Sequence, residues 1–144
     1  MEKIIICFLT LRPNEMFYNF CKTLKNETYD IYICIDDDDH IIPNIDIKND
    51  GINIIKINKK ICEDIGFKSS LLFYNNKALS RDKVLYYFCR YGIKYKYLWM
   101  IEEDVFIPNN KTIENIDNKH KNGDLLVASN DIIYKKRRAL ELYF

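Results

Sequence analysis

The triplet Glu102-Glu103-Asp104 closes an apolar and aromatic run, Tyr97-Leu98-Trp99-Met100-Ile101. Side chains alternate along an extended segment, so the carboxylates of Glu102 and Asp104 are expected to point together while Glu103 points away. Two convergent carboxylates repel unless one keeps its proton, and a hard divalent cation removes that conflict. Mg²⁺ or Mn²⁺ takes carboxylate oxygens together with substrate phosphates, which makes Glu102 and Asp104 candidate metal ligands. Taken alone the triplet also reads as a solvated acidic turn. The buried strand before it and Val105-Phe106-Ile107-Pro108 after it leave a metal site and a solvated turn equally open.

A second acidic cluster, Asp36-Asp37-Asp38-Asp39, ends the run Tyr29 to Ile35. A carboxylate at that place in a nucleotide-binding sheet accepts hydrogen bonds from ribose hydroxyls, a role that Asp36 or Asp37 fits. Asp38 and Asp39 read as a solvated charged loop, and His40 and His120, which have no partner in sequence, as surface histidines. Ser80-Arg81-Asp82-Lys83 opens a helix, with Ser80 expected as its cap. The free N–H groups and partial positive charge of a helix N-terminus suit a diphosphate, and Arg81 can add a forked contact. These four residues also read as a plain cap with surface charges. The glycine-rich dinucleotide fingerprint, the P-loop and the Gly-x-Ser-x-Gly elbow are all missing from the sequence, which sets aside dinucleotide dehydrogenases, P-loop NTPases and elbow hydrolases. The basic run Lys135 to Arg138 reads as a solvated helix face.

The elements that must position these residues follow from hydrophobic periodicity. Lys3 to Leu9 is a nearly continuous apolar run, the pattern of a strand buried on both faces of a parallel sheet. After Pro13, Asn14 stands where a cap would stand, and Phe17, Phe20, Cys21 and Leu24 carry the spacing of an amphipathic helix. Tyr29 to Ile35 is a second strand, and Ile52 to Ile57 a third after the turn at Asn49-Asp50-Gly51. The stretch from Asn58 to Asn76 carries no clear period. Val84, Tyr87, Phe88 and Tyr91 define a helix that Gly92 ends, and Tyr97 to Ile101 is a fourth strand. Thr112 to Lys121 reads as a short helix, Asp124 to Ser129 as a fifth strand, and the segment through Lys135 to Arg138 as a terminal helix. Strands alternating with helices predict βαβ units, hence an α/β fold: an open, mostly parallel sheet with helices on both faces. Ligands of such sheets bind outside the carboxyl ends of the strands at a topological switch point, where both acidic clusters fall.

Composition narrows the classes. A chain of 144 residues, 48% hydrophobic and 30% charged, predicts one globular domain spanning residues 1–144 with enough length for a sizeable core. The formal net charge of +1 gives no field that would attract nucleic acid or an anionic membrane. No stretch approaches the roughly 20 apolar residues of a membrane span. Met1-Glu2-Lys3 has no net positive charge, and the apolar run from Ile4 meets Arg12-Pro13 rather than a cleavage site, so no secretory signal is expected. The cysteines Cys7, Cys21, Cys34, Cys62 and Cys89 form no Cys-x-x-Cys pair. They are expected as reduced, mostly buried thiols, which favours a cytoplasmic compartment.

The order of these features resembles a glycosyltransferase of the GT-A type, the nucleotide-diphospho-sugar transferase fold. The resemblance lies in Ile4 to Arg12, in Asp36 at the end of the second strand, in Ser80-Arg81-Asp82-Lys83, and in Tyr97 to Val105. The last is similar to the strand carrying the Asp-x-Asp motif, with Glu102 in place of its first Asp. Ser80 to Val84 together with Trp99 and Glu103-Asp104-Val105 is particularly similar to glycosyltransferase-like proteins of large DNA viruses, and the excess of Ile, Asn and Lys suits an AT-rich source; the compartment would then be the host cytoplasm.

The resemblance implies that Thr10 and Arg12 lie near the nucleobase, Asp36 near base or ribose, and Arg81, with Lys83 second, at the diphosphate. It implies that Asp104 holds Mn²⁺ or Mg²⁺, with Glu102 helping through ribose or metal. The donor would be a UDP- or GDP-sugar and the acceptor a glycan or protein. The resemblance covers roughly residues 3–130, whereas the family continues well beyond its metal motif. The acceptor half is therefore expected to be short or missing, and the sequence names no catalytic base. Two other readings stand beside the transferase: a noncatalytic nucleotide-sugar binding module, and a decayed scaffold acting in protein interaction. An incomplete sheet edge favours association with a second copy or a partner chain.

Overall fold

A computed structural model describes residues 3–43, 50–69 and 75–120. The chain divides into two units, Met1–Asn110 and Lys111–Phe144. The first is a small α/β unit with four strands, β1 (Ile4–Thr10), β2 (Tyr29–Ile35), β3 (Ile52–Ile55) and β4 (Tyr97–Glu102). Its described helices are α1 (Glu15–Leu24), α2 (Lys59–Asp64) and α3 (Ser80–Tyr91). The second unit contributes α4 (Thr112–Lys119). The expected fifth strand at 124–129 and the terminal basic helix lie outside the described residues.

The sheet order is β3-β2-β1-β4, with every neighbouring pair parallel. This is a Rossmann-like topology: the chain winds outward from β1 through β2 to β3, then crosses back to place β4 on the other side of β1. The switch point lies between β1 and β4.

All seven residues of β1 are buried, as a central strand covered on both faces requires. Alternation sends Phe8 to one face, where it meets Phe17 and Phe20 of α1 edge-on at 5.3 and 6.1 Å between ring centroids. Ile5, Cys7 and Leu9 go to the other face and join Tyr32, Cys34 and Ile55 beneath Val84 and Phe88 of α3. Helices therefore cover both faces.

Local chemistry sets the helix ends. The Asn14 side chain accepts the Phe17 N–H at 2.9 Å, as its capping position predicts. On α3 the cap differs from expectation. Leu79 occupies the cap position, Ser80 is already helical, and the Asp82 carboxylate accepts the Leu79 N–H at 2.8 Å. Gly92 ends α3 at φ +58°, a left-handed conformation in which a side chain would crowd the following carbonyl. In the stretch without clear period, Asn58 starts α2 by accepting the Lys60 N–H at 2.9 Å. Among the described residues no helix is long and apolar enough to cross a membrane.

Candidate functional site

A cleft of about 320 Å³ opens at the switch point. Its walls are the end of β1 from Leu9 to Leu11, Asp36 after β2, the start of α3 from Leu79 to Arg81, and Glu102 to Asp104. Parallel strands bring all these ends to one edge of the sheet, and the crossover helix α3 begins at that same edge. The register pairs Leu9 with Glu102, so Glu102 shares the α3 face of the sheet with Leu9.

Thr10, Asp36, Arg81, Glu102 and Asp104 share this cleft; Arg12, Asp37 and Lys83 do not line it. The side chains of Glu102, Asp104 and Arg81 are exposed and have no hydrogen bond or ion pair among the described residues. Thr10 is buried, and its hydroxyl donates to the Cys34 carbonyl at 3.2 Å. Asp36 continues the ladder by donating its N–H to the Thr10 carbonyl at 2.8 Å. Its carboxylate stands between two lysines, Lys59 at 3.6 Å and Lys83 at 3.7 Å.

Lys83 is placed differently from the expectation that it faces a diphosphate. It is 0% exposed, and its ammonium donates to the Asp36 carbonyl at 2.7 Å, the Ile35 carbonyl at 3.4 Å and the Asp38 carboxylate at 2.7 Å. A buried charge persists only when paired and hydrogen-bonded, and here carbonyls at the end of β2 and the following acidic loop supply the partners. Asp38 is accordingly no solvated loop residue, because it also accepts the Lys59 N–H at 2.9 Å. Desolvation pushes its carboxyl up, but the hydrogen bonds from Lys83 and Lys59 and both lysine charges outweigh that and hold it below the ordinary value. Asp37 pairs with Arg12 and accepts the Asp39 N–H at 3.0 Å. The Arg12 hydrogen bond and that N–H lower its carboxyl too. Asp39 is exposed.

Glu103 also departs from expectation. The strand stops at Glu102 and the chain turns, with the Val105 N–H donating to the Glu102 carbonyl at 3.1 Å. Alternation does not extend into a turn, so Glu103 lines the cleft and accepts the Leu11 N–H at 3.1 Å. The sequence points Glu103 away from the site and assigns Lys83 to the diphosphate, whereas Glu103 lines the cleft and Lys83 is buried. For Lys83 a signal exists, since it lies four residues before Tyr87 and thus on the stripe that buries α3.

Among the described residues, no group of three or more His, Cys, Asp or Glu is arranged to hold a metal ion. The free carboxylates of Glu102 and Asp104 remain, and Mg²⁺ is commonly held by one or two carboxylates completed by substrate phosphates. The donor set therefore fits a cation that arrives with a phosphorylated ligand. All five cysteines are free, with Cys7, Cys21, Cys34 and Cys62 buried and Cys89 exposed. Burial pushes the Cys21 and Cys34 thiols up to about 12, which leaves them protonated and inert. Comparison with protein-family models, with curated proteins and with solved structures returns no match.

Proposed function

We propose that the cleft binds a nucleoside-diphosphate sugar together with Mg²⁺ or Mn²⁺, and that the protein transfers the sugar to an acceptor hydroxyl in the manner of a GT-A glycosyltransferase. One observation carries this reading: Thr10, Asp36, Arg81, Glu102 and Asp104, from four separate stretches of sequence, line a single cleft at the switch point. The resemblance to that family rests on the same residues.

In this reading Asp36 accepts a hydrogen bond from the ribose or base, held in place by Lys59 and Lys83 behind it. Arg81 and the N–H groups at the start of α3 bind the diphosphate. Glu102 and Asp104 would hold the cation, which when bound would supply Lewis-acid stabilisation of charge on the leaving diphosphate. The acceptor oxygen bonds to the anomeric carbon while the bond from that carbon to the diphosphate breaks, and the acceptor's hydroxyl proton passes to the departing diphosphate or to solvent. The contribution of the chain's own side chains is then electrostatic and orienting.

The test is thermal unfolding with UDP, GDP and their sugars, each with and without MnCl₂, for the wild type and a Glu102→Ala/Asp104→Ala variant. A ligand at about 100 times its dissociation constant adds roughly 2.7 kcal/mol, a rise of several degrees. Stabilisation by one nucleotide, only with metal and only in the wild type, is the expected result. Equal melting in every mixture refutes the site, and binding without release of nucleoside diphosphate in the presence of acceptors leaves a binding module.

A further inference from the structure

The two residues after β1 are gripped from both sides. The Leu11 N–H donates to the Glu103 carboxylate at 3.1 Å, across 92 residues of sequence, and the Glu103 N–H donates back to the Leu9 carbonyl at 3.1 Å. On the other side the Asp37 N–H donates to the Leu11 carbonyl at 3.4 Å, and the Asp37 carboxylate pairs with Arg12. The two grips differ in kind. The Leu11 carbonyl meets backbone from the β2 side, whereas β4 has already ended and only the Glu103 side chain reaches the Leu11 N–H.

We propose that Glu103 is a positioning residue: its carboxylate locks the Leu9–Leu11 wall of the cleft to the turn that carries Glu102 and Asp104, so that wall and turn present one preformed site. Nothing in the chemistry assigned to Glu102, Asp104 or Arg81 requires this side chain, and its function is the distance it sets between the two. The ligand half of the inference rests on the nucleotide reading above; the lock itself does not.

Amide hydrogen exchange at Leu11 in the free protein tests the lock without any ligand. Glu103→Ala removes the acceptor, while Glu103→Gln keeps an acceptor oxygen and removes only the charge. The expected result is slow exchange at Leu11 in wild type and Glu103→Gln and fast exchange in Glu103→Ala, with a melting temperature lowered by only a few degrees, so that all three proteins stay folded. Unchanged protection in Glu103→Ala overturns the proposal. Titration with UDP and GDP in MnCl₂ then reads the consequence. Glu103→Ala should bind about tenfold more weakly, the equilibrium worth of one hydrogen bond to a charged group, and Glu103→Gln should recover most of that loss. Equal weakening in both variants overturns positioning in favour of charge, and tighter binding by Glu103→Ala overturns it in favour of a carboxylate that competes with the ligand. If neither nucleotide binds any of the three proteins while the exchange pattern holds, the lock stands and the nucleotide reading falls.

Discussion

Replacing Lys83 by methionine tests whether the cleft floor is held by a buried cation. Methionine has nearly the same length, so the buried volume of the side chain is largely conserved while the ammonium is lost. Three acceptors then lose their donor: the Asp38 carboxylate and the Asp36 carbonyl, each at 2.7 Å, and the Ile35 carbonyl at 3.4 Å. Removing one partner of a buried ion pair costs about 3–5 kcal/mol because the other charge stays behind. Asp38 keeps the Lys59 N–H, and its side chain is 26% exposed, so water reaches it and the lower end applies. About 3 kcal/mol corresponds to a fall in melting temperature of roughly 10 °C for a domain of this size.

The pH dependence is a second readout of the same cluster. The Asp38 carboxyl lies below its ordinary value in the folded protein. Its stabilising contribution is therefore complete above the unfolded pKa of about 4 and is lost as pH falls through the lower folded value. The wild type should lose stability below about pH 4, and Lys83→Met should lose less over the same interval, because the ammonium that lowers Asp38 is gone. A Lys83→Met/Asp38→Asn double variant should be less destabilised than the two single effects added together. A Lys83→Met protein that melts within a degree or two of wild type, with the same acid profile, refutes the account of Lys83 as a buried paired cation.

Three further outcomes follow from the geometry. Arg81→Ala should leave the melting temperature of the free protein nearly unchanged, because its exposed guanidinium has no partner among the described residues, yet weaken nucleoside-diphosphate binding about tenfold or more in a calorimetric titration. Brief treatment of the native protein with iodoacetamide at neutral pH should label Cys89 alone, since the other four thiols are buried, and mass spectrometry after guanidinium unfolding should find all five labelled. Asn14→Ala removes the acceptor of the Phe17 N–H and should cost about 1 kcal/mol, measured by urea denaturation with an unchanged m-value.

Much of the frame was legible because it follows from burial. The run at the start of the chain must lie inside a parallel sheet, and β2 occupies Tyr29–Ile35, the residues that its β-branched and aromatic composition predicts. The place of the site was legible for a topological reason: parallel strands and their crossover helices deliver Asp36, Arg81 and Glu102 to one edge whatever the loops do. Individual side-chain orientations were not. The helical spacing places Lys83 on the buried stripe of α3, but which groups pair its charge is not legible until the acids of the loop after β2 are brought beside it. Glu103 was misread because period-two alternation was carried one residue past the end of a strand. The β3 strand stops at Ile55, short of the expected Ile57, because a periodic pattern fixes the existence of an element better than its ends.

The distribution of charge across the cleft constrains what can occupy it. Glu102, Glu103 and Asp104 stand on the β4 side, while Arg81 and the first N–H groups of α3 stand on the helix side. Lys83 lies beneath Asp36 rather than in the cleft, so its charge is already matched by Asp36 and Asp38 and is not free to neutralise a ligand. A lone phosphate group would meet Arg81 favourably but face the three carboxylates of the β4 side as well as Asp36; a lone cation would meet Glu102 and Asp104 with most of its coordination unfilled. In the proposed reading, a cation carried by a diphosphate would satisfy both sides at once, since each component would remove the repulsion that opposes the other. Binding should therefore be synergistic: the nucleotide affinity gained on adding Mn²⁺ should equal the Mn²⁺ affinity gained on adding nucleotide. Titrating each in the presence and absence of the other closes that cycle, and independent affinities would refute a shared site.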